Sequence, residues 1–175
     1  MASAVTALVE RHGTAADRAW IATRALTVAR RTALGVLGDR EAAADVAQEV
    51  AVTAVQKAAA LRDPEALDAW LHRIAVRAAL AEARRGRTRR AAESAHAERR
   101  ADAAGEPPGL AGALGLLDGL PARQRAALTL RYEHDLPDDA IARALGCRPG
   151  TVRSLLSRGR DALRAAHAPR PETSR

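Results

Sequence analysis

Apolar positions recur at helical spacing through the first 85 residues. Residues 15–37 carry Trp20, Ile21, Leu26 and Val28 among small residues, and Gly38-Asp39 then interrupts the pattern. Asp39 is suited to N-cap a second helix reaching about residue 60, with Glu41 in its first turn complementing the helix dipole. Asp63-Pro64-Glu65 combines a capping acid, a proline at the first helical position and an early acid, which opens a third helix. Leu67, Trp70, Leu71, Ile74 and Ala78 then follow the spacing of one buried stripe, and the helix is expected to run to about Arg85. Residues 86–112 break the pattern: they hold almost no large apolar side chain, and Pro107-Pro108-Gly109 forbids a continuous helix. They read as a flexible linker with helical tendency around residues 91–103. Apolar periodicity resumes at Leu114, with Leu116, Leu117 and Leu120 preceding a helix over 121–132, in which Ala127, Leu128 and Leu130 face inward. Two further helices are predicted over 138–145 and 149–166, followed by a frayed tail after Pro169.

The predicted fold is therefore all-α, two small helical domains joined by a linker: residues 1–85, a linker at 86–112, residues 113–168, and a tail at 169–175. Composition agrees. Of 175 residues 2% are aromatic, two Trp and one Tyr with no Phe. Abundant Ala favours helices over sheets. A single cysteine, Cys147, excludes disulfide scaffolds and cysteine-based zinc sites within the chain. No apolar run is long enough for a membrane span, and the N-terminus lacks the apolar stretch of a signal peptide. The five histidines, His12, His72, His96, His134 and His167, are scattered without ligand spacing and read as surface or partly packed residues. No cofactor is implied.

Charge changes the picture through its distribution. The formal charge is +7, and the basic excess is almost wholly arginine. Residues 113–175 hold 11 basic against 7 acidic side chains, so more than half the excess lies in the last third. There, residues 138–156 spell DDAIARALGCRPGTVRSLL, with Ala142, Gly146 and Val152 at the spacing of a helix-turn-helix. Ala142 is small where the helices approach, Gly146 suits the positive φ of the turn, and Val152 seals the second helix onto the first. On that second helix Val152, Leu156, Gly159 and Leu163 share one arc. Arg153, Ser157, Arg160 and Arg164 share another, with Ser154 and Arg158 beside them. An arginine face with small hydroxyls suits phosphate and base-edge contacts in a major groove. A solvated basic face is the plainer alternative; the Ala-Gly-Val spacing favours DNA.

From Leu120 to Arg164 the chain resembles region 4 of the extracytoplasmic-function sigma factors of bacterial RNA polymerase. The carrying motifs are Leu-Pro-x-Arg-Gln-Arg, Leu-Arg-Tyr, Ile-Ala-x-x-Leu-Gly and Gly-Thr-Val-Arg-Ser. Leu155 stands where the family usually has a basic residue, and Pro137 where it has a capping Ser. The resemblance implies that Thr151, Arg153, Ser154, Ser157, Arg158 and Arg160 read the promoter's minus-35 element and that this domain touches the polymerase flap. Gly38-Asp39, followed by Asp45-Val46-Ala47-Gln48-Glu49-Val50, resembles region 2 of the same family. Asp45, Gln48 and Glu49 share one helix face by their spacing, and the resemblance implies that they dock on the clamp helices of core polymerase. Trp70-Leu71-His72-Arg73-Ile74-Ala75 resembles the family's promoter-melting helix, which assigns Arg73, Arg77, Arg84 and Arg85 to the minus-10 element. The loop at residues 60–63 occupies the place where relatives capture a flipped base. Ala51 stands where the family has an aromatic, and Trp70, on the apolar stripe, reads as core rather than as a stacking platform.

The implied function is a non-catalytic, cytoplasmic sigma factor that binds core RNA polymerase and directs it to promoter DNA, with an anti-sigma factor among the partners the family implies and no membrane insertion. A stand-alone helix-turn-helix regulator, a sigma-like protein with weak promoter melting, and an adapter for an acidic protein remain the alternatives from residues alone.

Overall fold

A computed structural model of the chain describes residues 14–61, 63–97 and 119–167. Six helices make up the described part: α1 (Ala15–Leu37), α2 (Arg40–Lys57), α3 (Leu67–Ala97), α4 (Ala122–Tyr132), α5 (Asp138–Leu145) and α6 (Pro149–His167). Short 3-10 turns at Ala58–Ala60 and Pro64–Ala66 lie between α2 and α3. The expected residues Leu114, Leu116 and Leu117 fall outside the described part, as do His12 and Arg62.

Local chemistry sets most of the ends. Thr14 Oγ1 accepts a hydrogen bond from the Asp17 amide at 3.2 Å and starts α1. Gly38, at φ 72°, closes it, returning its N–H to Leu34 O at 2.9 Å. Asp39 Oδ1 then accepts from the amides of Glu41 and Ala42 at 2.8 and 3.0 Å, the N-cap expected of it. Asp63 likewise accepts from the Glu65 amide at 3.0 Å, although the first turn it opens is 3-10 and α-helix begins at Leu67.

Helix α3 departs from expectation by continuing twelve residues beyond Arg85, to Ala97. A lone glycine inside a helix costs only about 1 kcal/mol. Around Gly86 that cost is offset by good helix formers and by Glu82, which accepts from Arg85 at 2.7 Å and from Arg89 at 3.0 Å.

The core explains how the fold manages without phenylalanine. Ala25, Ala29, Ala33, Ala43, Ala47, Ala54, Ala75 and Ala79 are all buried where α1, α2 and α3 meet. Such small side chains allow helix axes to approach closely. Leu71, Val36 and Val76 fill the space between them, and half-buried Trp70 packs on the margin of this core, as its place on the stripe predicted.

The two halves do not stand apart. Helix α4 packs on α1, and α5 packs on α3, so the buried residues form one continuous cluster. Arg125 of α4 donates from Nε to Val36 O at 2.6 Å, and from Nη1 to Leu120 O at 2.9 Å. Arg31 of α1 pairs with Glu133 at 3.2 Å. At Gly35, backbone and Thr129 meet so closely that a β-carbon would overlap the threonine side chain. The contacts of Arg125 with Val36, Arg31 with Glu133 and Gly35 with Thr129 join residues 89 to 102 positions apart, a separation at which periodicity carries no signal.

Candidate functional site: two polar faces and a seam

The helix-turn-helix forms from α5 and α6 as its spacing predicted. Ala142 and Val152 are buried, Gly146 takes φ 62°, and the Cys147 amide returns to Ala142 O at 3.0 Å. Arg123 reaches across from α4 to donate to Leu145 O at 3.2 Å, fixing the turn from outside. Pro137 supplies no side-chain cap to α5. In its place Asp138 is ion-paired to Arg131 of α4, which holds an acid at the helix N-terminus where the dipole favours it.

On α6, Val152, Leu156 and Gly159 are buried, and Leu155 and Leu163 are half-buried against the core. Thr151, Arg153, Ser154, Ser157, Arg158 and Arg160 are all exposed. Ser154 Oγ donates to Gly150 O at 3.1 Å. Sequence reasoning overlooked Asp161: it accepts from Ser157 Oγ at 3.3 Å and from Arg164 at 2.5 Å, so it engages two members of the basic arc. Its i+4 and i−3 relations to those residues were the available signal. Among the described residues, Arg153, Arg158 and Arg160 make no ion pair, which leaves three guanidinium forks for an anionic partner.

The second face lies on α2. Asp45, Gln48 and Glu49 are exposed side by side, while Val46, Ala47 and Val50 of the same turns are buried. Asp45 and Glu49 line a polar cleft of about 890 Å³ with Asp39, Glu41, Glu82, Arg85 and Arg125. The Arg85 guanidinium is held above its ordinary pKa by its hydrogen bond to Glu82 and, more weakly, by the charge of Glu49.

This cleft divides the arginines of α3. Arg73, Arg77 and Arg84 are exposed and fall within about 40° of one another at roughly 100° per residue, whereas Arg85 is rotated by about a third of a turn. Arg85 thus belongs geometrically with Asp45 and Glu49. Helix α3 is anchored at its start by Arg24 of α1, which grips Asp68 through two hydrogen bonds of 2.9 and 2.7 Å. That bond holds the Asp68 carboxyl below the usual carboxylate range.

Between the halves lies a feature that the histidine spacing did not reveal. His72 is buried on α3, and its Nδ1 donates to Asp68 O at 2.8 Å. His134, from the turn after α4, stands edge-on to it with ring centroids 4.7 Å apart. His134 is partly packed, as expected, whereas His72 is buried, and the fold pairs the two across the seam. An apolar cleft of about 580 Å³ opens along the same seam, where Leu34, Leu128, Tyr132 and Leu163 meet Arg160 and Arg164. Among the described residues no cluster of three or more His, Cys, Asp or Glu has the arrangement of a metal site, and no helix is long and apolar enough to cross a membrane.

Residues 19–90 match the family model for sigma-70 region 2, and residues 113–163 match that for sigma-70 region 4. Among solved structures, the chain is similar to the sigma factor RpoE from Bartonella quintana, determined in complex with the anti-sigma factor NepR. The identity is 25%, with 83% of this chain and 94% of that one covered, at a TM-score of 0.64. No curated protein sequence matches.

Proposed function

The chain belongs to the extracytoplasmic-function sigma factors, which bind core RNA polymerase and direct it to promoter DNA in transcription initiation, and on that premise we propose how its surfaces divide the work. The α6 face reads the upstream element: Arg153, Arg158 and Arg160 supply forked donors for phosphates and guanine edges, and Thr151, Ser154 and Ser157 supply short hydroxyls. The α2 face, Asp45, Gln48 and Glu49, docks on core polymerase. Arg73, Arg77 and Arg84 line one side of α3, where they follow the phosphates of the separated downstream strand. Arg85 is grouped with the docking cleft instead, because Glu82 and Glu49 already engage its charge. The protein acts by binding alone, without catalysis, and works in the cytoplasm, where its polymerase and promoter are. The NepR complex of the relative supports the further reading that an anti-sigma protein binds this chain.

The observation that carries the assignment is the coexistence of two separate polar faces, one acidic on α2 and one basic on α6, each backed by a buried apolar arc. Separation of function tests it. Asp45→Arg and Glu49→Arg are expected to weaken core association at least tenfold while leaving binding to upstream-element DNA unchanged. Arg153→Ala and Arg158→Ala are expected to do the reverse, each costing about 1–3 kcal/mol of DNA affinity and lowering the salt slope by about one phosphate. Loss of both activities in either pair would refute the division.

A further inference from the structure

The packing of α4 on α1 and of α5 on α3 has a consequence for promoter reading. Elements centred about 25 base pairs apart are separated by roughly 85 Å of duplex, at about 34 Å per helical turn. The longest described helix, α3, spans about 46 Å at 1.5 Å per residue, and the helix-turn-helix packs on it through α5. The α3 and α6 faces of the described arrangement are therefore too close to engage both elements together, and Arg160 and Arg164 border a cleft shared with α1. The seam must open for the protein to work as a sigma factor.

One side chain of the helix-turn-helix half reaches into the other half's polar interior. Thr32 is fully buried on α1, and its only hydroxyl proton is donated to Val28 O at 2.8 Å. Its oxygen therefore accepts from His134 Nε2 at 2.9 Å, which makes Nε2 the protonated nitrogen of a neutral imidazole. His72, protonated on Nδ1 by its bond to Asp68 O, packs against the same ring.

We propose that His134, seated between Thr32 and His72, is a latch that holds the helix-turn-helix half closed on the bundle and lets go when its imidazole takes up a second proton. A second proton places a cation beside the His72 ring, in a half-buried seam where water cannot fully solvate it. The groups facing the pair are few. Arg31 of α1 and His72 of α3 oppose a charge on His134, and Glu133 at the end of α4 favours it. Asp68 favours a charge on His72, and Arg24 opposes it.

Burial, with these neighbours, pushes the His134 pKa down to about 4 in the closed form, and burial lowers that of His72 as well. Once open, His134 returns to the ordinary range near 6.5. The sign follows: the closed form binds fewer protons, so its advantage is whole above about pH 6.5 and is lost as the pH falls toward 4. Each imidazole shifts the opening equilibrium by at most about tenfold per pH unit.

The consequence for promoters rests on the sigma-factor reading, but the opening does not, and it is measured on the full-length protein without polymerase or DNA. Spin labels on Val52→Cys and Arg143→Cys, both exposed, in a Cys147→Ser background report one distance across the seam. At about pH 7.5 a single short distance is expected. Toward about pH 5 a longer population should grow while far-UV circular dichroism holds constant. His134→Gln keeps an N–H donor for Thr32 but cannot take up a proton, so it should lose the His134 share of the opening and open far less than the wild type. The proposal is overturned if the wild type keeps its short distance at about pH 5, if His134→Gln opens as far as the wild type, or if helicity falls in step with opening.

Discussion

Gly35→Ala places the closest approach between the two halves under direct test. An added β-carbon would overlap Thr129 Oγ1 and lie 2.7 Å from Cγ2 and 3.1 Å from Cβ. Three atoms of one side chain are involved, so no rotation of Thr129 clears them all. Thr129 is also a stiff β-branched residue whose hydroxyl is committed to Arg125 O at 2.9 Å. Relief requires α1 and α4 to separate, and overpacking of this kind costs about 1–3 kcal/mol. Against it stands the gain of about 1 kcal/mol for alanine over glycine inside a helix. The two terms act on different things: the clash weakens the seam, while the propensity strengthens α1. Gly35→Ala should therefore open the halves yet leave each one helical. Adding Thr129→Ala removes the two closest atoms, Oγ1 and Cγ2, and leaves only the Cβ contact at 3.1 Å, so a double-mutant cycle in urea should return a favourable coupling of about 1–2 kcal/mol between the sites. Coupling below about 0.5 kcal/mol, with the interhalf distance unchanged in Gly35→Ala, would refute the close packing on which the seam depends.

Two further outcomes follow from named contacts. Arg125→Lys keeps the charge but loses the fork that reaches Val36 O and Leu120 O together; it should cost about 1–3 kcal/mol in chemical denaturation, and an unchanged midpoint would show the fork to be dispensable. Arg73→Ala with Arg77→Ala should lower permanganate reactivity of the melted downstream strand several-fold while leaving core affinity intact; unaltered melting would remove that face of α3 from strand contact.

Legibility in the sequence followed the range of the interaction. Caps at Asp39 and Asp63, the αL turn at Gly146 and the buried arc of Val152 and Leu156 all arise within a few residues, and each could be read in advance. The basic arc of α6 and the acidic face of α2 were legible for the same reason. The end of α3 lies beyond the expected Arg85 because large apolar residues vanish after that point and take the periodic signal with them, although the Glu82–Arg85–Arg89 ladder stands at helical spacing. His72 and His134 meet only because α5 lies on α3 and α4 on α1. Those contacts depend on small residues such as Gly35 fitting against a partner nearly a hundred positions away, and no periodicity records such a fit.

The central claim is that this chain confers promoter recognition on RNA polymerase. Core enzyme incubated with the full-length protein and a promoter-containing DNA library should yield discrete run-off transcripts whose start sites share upstream and downstream elements. Those transcripts should disappear with Glu49→Arg and lose their upstream preference with Arg153→Ala. Sequence-specific DNA binding with no transcripts above core enzyme alone would contradict the account and return the protein to the class of stand-alone regulators.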